Sequence, residues 1–380
     1  VVPIRNQFYV LLNRRYQPRF LWPTYVGAET GERPEFFRPL RSRWFKAPSP
    51  RLGVPYEDLV GVDVSSSQTQ IIASFVGIEA LERDASERSF KTLMAEEAWR
   101  RHEDSKDEFH LAVPARGDAV EPYAGAHDAR LEQLCKTLWM QICYGSTELE
   151  SVRHQHQHPL TYGPGWTVTN ASRFKRGLFE RYRGVDQFLR ACLEICHIAS
   201  RRDPCAAVSL TDPLDRIEFR WNPIEREKRE HRHGPHKLEV KLPPAYKPGC
   251  TRYPVDEAAL RRRLAPCVIH MLDAYFSSLV MTELSRRGVR DLVGIHDCWL
   301  VPAHMGTERG IERATDLIAA ARDTAAEAWY RGLGPVFESM RGYLDDEGSR
   351  FRGWISGVHA NWEKRAQEGY RPAFRTKLEV

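Results

Sequence analysis

Hydrophobic positions fall into a few short β-type runs set between long stretches with helical spacing. Leu59-Val60-Gly61-Val62-Asp63-Val64 is a β-branched run that ends in Ser65-Ser66-Ser67, and Gln70 to Val76 then resumes at helical spacing. This predicts a strand with an acid near its end, followed by a helix. Residues 86–104 predict another helix and 105–127 a polar loop with Pro and Gly. Asp128 is placed to cap a helix through Leu131, Leu134, Leu138 and Ile142 that stops at Tyr144-Gly145. After a His-bearing loop at 154–158, residues 174–199 read as one long amphipathic helix, and Arg216 to Trp221 as a strand closed by Pro223. The stretch 224–253 holds Gly234-Pro235, Pro243-Pro244 and Pro248-Gly249, which predicts loop or hairpin. Asp256 to Thr282 is helical with a break or kink at Pro266. Asp291 to Val301 reads as strand, tight turn, strand with Asp297 at the tip, and helices follow over 307–330 and 335–348.

Composition narrows the class without naming a function. The chain has 380 residues, 42% hydrophobic and 28% charged, an ordinary globular balance with length for about two or three lobes. No uncharged run approaches the roughly 20 residues of a membrane-spanning helix, so no membrane role is expected. The opening VVPIRNQFYV lacks a signal peptide's apolar core and cleavage site. Eight cysteines without a CxxC give neither a disulfide framework nor a zinc ribbon, which points to a reducing cytoplasm. Cys192, Cys196 and His197 are a candidate metal group, though two thiols one turn apart in an apolar stretch are more commonly core. The net charge is +5. The excess sits in residues 1–60, where Arg5, Arg14, Arg15, Arg19, Arg33, Arg38, Arg41, Arg43, Lys46 and Arg51 face five acids. Together with the basic stretch Arg226 to Lys241, this fits a polyanionic partner as well as a solvated surface.

Candidate chemistry lies at the strand ends. Asp63 and Asp297 each sit at the edge of an apolar strand, where a charge is costly unless it faces a cleft or a metal. Two such strands side by side would converge two hard oxygen donors, the set Mg²⁺ prefers, and two ions about 3.5 to 4 Å apart can clamp an in-line phosphoryl transfer. Taken singly, either Asp reads equally as a turn former. On the helix after Asp128, Lys136, Met140 and Tyr144 recur every four residues and share one face. A lysine there can neutralise a triphosphate and protonate a leaving group, while an aromatic followed by Gly can stack on a base. A surface lysine and a core tyrosine are the plain alternative.

These segments resemble the single-subunit RNA polymerases of phages and mitochondria. Asp63-Val64-Ser65-Ser66-Ser67-Gln68-Thr69-Gln70 resembles their motif A, and Lys136 to Tyr144-Gly145-Ser146 their motif B. Ala265 to Ala274, with His270, resembles the segment ahead of motif C, and Ile295-His296-Asp297-Cys298 resembles motif C itself. The four occur in family order between about residues 60 and 305. The resemblance implies an α+β right-hand fold: a basic segment at 1–58, palm at 59–85, fingers at 86–200, a palm strand with a basic hairpin at 201–255, palm again at 256–305, and C-terminal helices at 306–380. It implies Mg²⁺ held by Asp63, the Val64 carbonyl and Asp297, with Lys136 as general acid. Tyr144 and His270 would read the sugar 2′-hydroxyl, and Ser67, Gln68, Met140 and Gly145 would line the nucleotide site. The partners implied are a DNA template, an RNA product and nucleoside triphosphates.

Three departures from the family pattern qualify this. Gln68 stands where the RNA polymerases have glycine and the related family A DNA polymerases have a bulky glutamate, which leaves the sugar choice open. Glu132 replaces an arginine on the phosphate side. Only 62 residues precede Asp63, where the family places a thumb and a promoter-binding region, so the expectation is the catalytic half of a split phage enzyme with a second subunit closing the nucleic-acid groove, with a self-sufficient minimal enzyme or a fragment of a longer chain as the alternatives. The alternatives in function are a family A-like DNA polymerase and a non-catalytic nucleic-acid-binding subunit. His154, His156 and His158 would align on one face if extended, but a polar loop is the expected state there. No GxxxxGK[ST], GxGxxG after a strand, or GxSxG is present.

Overall fold

The computed structural model of the chain describes residues 59–87, 89–104, 123–143, 148–158, 161, 167–203, 208–211, 216–219, 225–230, 237–242, 257–289, 293–295, 298–302, 310–345 and 348–379. The basic segment 1–58, Tyr144, Gly145 and Asp297 lie outside these residues. In chain order the elements are β1 (Leu59–Val64), α1 (Ser67–Val76), α2 (Glu79–Glu87), α3 (Phe90–Asp104), α4 (Ala129–Cys143) and α5 (Glu148–Gln157). Then come α6 (Val168–Arg181), α7 (Arg183–Arg202), β2 (Val208–Thr211), β3 (Arg216–Phe219), β4 (Glu225–Glu230) and β5 (Lys237–Leu242). The last are α8 (Glu257–Arg286), β6 (Val293–Ile295), β7 (Cys298–Pro302), α9 (Gly310–Arg331), α10 (Gly334–Leu344), α11 (Arg352–Gln367) and β8 (Thr376–Glu379).

The strands form one four-stranded sheet in the order β6-β7-β1-β8 and two separate hairpins, β2-β3 and β4-β5, all antiparallel. The fold is therefore α+β, as expected, with a large share of helix. Strand β1 is central because Val62 and Val64 bury on one face while Asp63, between them, stays half-buried on the other. Helix α9 covers β1 and β7, and α8 packs between α9, α7 and α1. Trp299, opposite Val62 in register, is fully buried and its indole NH donates to Ser277 Oγ on α8 at 3.3 Å. Phe276 and Trp329 meet Phe374 on the segment leading to β8, with ring centroids 4.5 and 5.5 Å away.

Several expected boundaries shift. Residues 174–199 are not one helix: α6 ends at Arg181 and α7 starts at Arg183, turning at Tyr182. The Tyr182 hydroxyl donates to Asp84 at 2.6 Å, and Arg181 pairs with the same carboxylate, so the corner is pinned to α2. Gly184 permits it, because a Cβ there would lie 2.7 Å from Ile78 Cγ1. The helix predicted at 86–104 is divided between the end of α2 and α3, which begins at Phe90. Residues 154–157 are helical in α5 rather than loop, which separates His156 from the pair His154 and His158, whose ring centroids are 5.0 Å apart. Burial, and then His158, hold the His154 pKa below its usual value. The basic stretch 224–253 contains the β4-β5 hairpin, one of the two expected states.

Helix α8 runs through Pro266 without ending there. Its Leu260–Arg286 part is long and apolar enough by composition to cross a membrane, although Asp273 interrupts it. Leu264, Val268, Leu272, Phe276 and Val280 on it are buried in the protein core, so its apolar character is accounted for by packing. Cys192 and Cys196 are free and fully buried. Burial, and then Cys196, push the Cys192 thiol well above its usual pKa, which suits a packing role.

Candidate active site

The site is organised around the turn that follows β1. Strand β1 pairs with β7 so that Asp63 stands opposite Cys298, the residue that follows Asp297 in the chain. Ile295 and Cys298 also pair, leaving only His296 and Asp297 between β6 and β7. On its other side β1 pairs with β8, placing Lys377 opposite Asp63. Beyond Val64 the chain turns sharply into α1 through Ser66, the single non-glycine residue with positive φ (+56°) among the described residues. A left-handed serine costs about 1 kcal/mol or more and persists where its surroundings over-determine it. The Ser66 carbonyl accepts from the Thr69 and Gln70 amides, which starts the helix.

Buried side chains then fasten this turn to three other elements. Ser67 is 3% exposed and donates its hydroxyl to Asp273 Oδ1 at 2.7 Å, joining α1 to α8. The Trp139 indole NH donates to Thr69 Oγ1 at 2.8 Å, joining α4 to α1. The Gln70 amide joins Ser65 to Arg375 ahead of β8. Ser67, expected to line a nucleotide site, is thus turned inward onto Asp273. Gln68, beside it, is half-buried. His270 is half-buried on α8, one turn before Asp273.

Helix α4 begins as expected. Asp128 Oδ1 accepts from the Arg130 amide at 2.8 Å and Oδ2 from the Ala124 amide at 3.0 Å. Side-chain hydrogen bonding from Arg130, working against burial, holds the Asp128 carboxyl well below the usual carboxylate range. Leu131, Leu134, Leu138, Trp139 and Ile142 bury one face, Lys136 is exposed on the other, and Met140 is half-buried and packs against the core. Glu132 has a partner of its own. Lys91 Nζ lies 2.7 Å from it and Thr92 Oγ1 donates at 2.9 Å, so it braces α4 against α3. Burial raises its pKa, but Lys91 and Thr92 outweigh that and leave it below the usual value.

The arrangement offers oxygen donors and a basic side chain on elements tied to one turn. The donors expected from the sequence, Asp63, the Val64 carbonyl and Asp297, are all oxygen, a type that would suit Mg²⁺ rather than a thiolate-seeking ion, and of these Asp297 lies outside the described residues. Among the described residues no cluster of three or more His, Cys, Asp or Glu could hold a metal. A cavity of about 350 Å³ lined by Glu79, Asn361, Lys364, Arg365, Glu368 and Tyr370 contains none of the expected site residues. Its wall is a structural cluster in which Arg365 pairs with Glu82 at 2.7 Å and lies 3.6 Å over the Tyr370 ring.

Asp273 and Gln70 had no role assigned from the sequence. Asp273 was open to detection as an acid inside an otherwise apolar helical run. Gln70 falls within the motif A resemblance, but nothing nearby in the sequence marked its tie to Arg375, 305 positions away.

No protein-family model matches the chain, and no curated protein does. Among solved structures it is similar to the POL domain of Pol1 from M. smegmatis in complex with DNA primer-template and dNTP. The TM-score is 0.41 at 16% identity, covering 70% of this chain. This chain spans about a third of that one, 36% of its length.

Proposed function

We propose that the chain is the catalytic core of a template-directed nucleotidyltransferase that makes RNA on DNA. One observation carries the reading: the β1-β7 register sets Asp63 opposite the neighbour of Asp297. Asp63 and the residue that follows Asp297, 235 positions apart, thereby pair across adjacent strands, and the motif order adds support. The right-hand palm and fingers assignment is part of the same proposal, with β6-β7-β1-β8 as palm and α3 to α7 as fingers.

In this reading Asp63, the Val64 carbonyl and Asp297 would hold Mg²⁺, which when bound would supply Lewis-acid stabilisation of the charge that develops in the transfer. The primer or transcript 3′-hydroxyl gives up its proton to solvent water and its oxygen bonds to the α-phosphorus of a nucleoside triphosphate. The bond from that phosphorus to the bridging oxygen breaks, and pyrophosphate leaves with a proton from Lys136. Lys136 is exposed on α4, as that role requires, and Trp139 three residues later ties the helix to Thr69. His270 and Tyr144 would contact the sugar. A second polypeptide completing the nucleic-acid groove is part of the proposal.

Gln68 favours a second reading, a DNA polymerase, because at the position where the resembled RNA polymerases have glycine its side chain would take up room a 2′-hydroxyl needs. Primer extension with Mg²⁺ on DNA or RNA templates, each with ribo- or deoxyribonucleotides, tests both. Ribonucleotide incorporation on DNA is expected, and Gln68→Gly should relax any residual deoxy preference. A strong deoxy preference in the wild type transfers the assignment to the second reading. No extension in any combination, with or without a co-purified partner, removes both.

A further inference from the structure

Strand β8 is joined to the Asp63 turn by more than sheet pairing. The Ser65 amide donates to the Arg375 carbonyl at 2.9 Å, and Thr376 to Glu379 then pair with Val64 back to Gly61. Over this junction lies the Gln70 side chain, 4% exposed. Its Oε1 accepts from the Arg375 amide at 2.8 Å, while its Nε2 donates to the Ser65 carbonyl and, at 3.3 Å, to the Arg375 carbonyl. One buried amide therefore satisfies a main-chain acceptor two residues beyond Asp63 and both main-chain polar groups of Arg375. Arg322 secures the same strand, donating to Thr376 Oγ1 at 2.8 Å.

Ser65 lies between Asp63 and the left-handed Ser66, so it is the point through which the strained turn reaches the acid. A turn of this kind holds its conformation only while neighbouring bonds prevent it from relaxing. Gln70 and Arg375 supply those bonds from opposite sides.

We propose that Gln70 is a positioning residue: through Ser65 and β8 it fixes where the Asp63 carboxylate stands, and so sets the affinity of the site for divalent cations. The inference rests on the two-acid nucleotidyl-transfer reading and adds a determinant outside the donor set. It makes β8 part of the site although that strand supplies no metal donor.

The test measures Mn²⁺ binding to the full chain by the loss of the free-ion electron paramagnetic resonance signal, without nucleotide, beside the Mg²⁺ dependence of extension. Supporting groups around metal ligands typically change affinity 10–100-fold, so Gln70→Met should weaken Mn²⁺ binding by about tenfold. Arg375→Pro, which deletes the amide that Gln70 accepts, should weaken it similarly, and the double variant should lose no more than either single one. Extension should need correspondingly more Mg²⁺ while its maximal rate at saturating Mg²⁺ largely recovers. Gln70→Glu keeps the acceptor but donates to neither carbonyl, and it reports by the same criterion if Gln70→Met does not fold. A lowered melting temperature with unchanged Mn²⁺ affinity overturns the positioning role and leaves the catalytic reading standing. Wild-type Mn²⁺ binding that is indifferent to Asp63→Asn overturns both.

Discussion

The turn from Asp63 to Gln70 and the helix α4 carry the two halves of the proposed chemistry, and they are held in different ways. The turn is anchored by side chains buried to within a few per cent of full, Ser67 on Asp273 and Gln70 on Ser65 and Arg375, with Thr69 accepting from Trp139. Helix α4 shares that single indole bond and otherwise leans on a hydrophobic face and on Glu132, whose partner Lys91 is 44% exposed. Buried hydrogen bonds resist displacement because breaking one leaves an unsatisfied group, whereas a partly exposed ion pair can exchange for water at little cost. The turn that carries Asp63 is thus the more firmly anchored of the two, and α4 has fewer buried polar ties to hold it in place.

The largest effect that would sharpen this contrast is expected at Asp63. Asp63→Asn should lower nucleotidyl transfer by about 10³-fold, several kcal/mol of transition-state stabilisation, with the fold retained. Near-wild-type extension by a well-folded variant would remove the acid side from the chemistry. Lys136→Ala should reduce the rate by about 10²-fold, the usual scale for a general acid, and change stability by no more than about 0.5 kcal/mol because the side chain is exposed. A large drop in melting temperature would show that α4 depends on Lys136 for its position.

Breaking the more firmly anchored side should be felt as stability. Asp273→Ala removes the acceptor from the buried Ser67 hydroxyl and should cost about 1–3 kcal/mol in denaturant unfolding, with Ser67→Ala costing less. Equal, negligible losses from both would show that the α1-α8 tie does not hold the turn.

The smallest effect belongs to Glu132. Its folded-state pKa is depressed, so the stabilisation is present above the ordinary carboxylate value and fades as pH falls through the lower folded value. Allowing for solvent screening of the half-exposed pair, Glu132→Gln should cost about 0–1 kcal/mol at neutral pH and progressively less as the pH is lowered below the ordinary carboxylate value. Melting temperatures of both proteins across pH 3 to 7 check this, and a gap that widens on acidification would reverse the assigned sign.

Local pattern made much of the scaffold legible. The β1 strand and its following helix, the capping Asp128 and the antiparallel strands β6 and β7 all depend on period, capping chemistry and turn residues close in sequence. What was misread depends on distant partners. The corner at Tyr182 exists because Asp84 draws in both Arg181 and Tyr182, and Gly184 admits Ile78. The helical state of His154 to Gln157 overrode an alternation that also suits a strand.

By itself the sequence determined which residue types carry charge at strand ends and which helix faces are apolar, because these are set by neighbours within a turn or two. Only the tertiary structure decided that Asp63 faces Cys298 across β1 and β7, that Asp273 answers Ser67, and that β8 closes the sheet under Gln70. Those pairings join residues more than 200 positions apart. They are chosen by which arrangement buries the shared core with its polar groups satisfied, a condition that no local stretch of the chain can express.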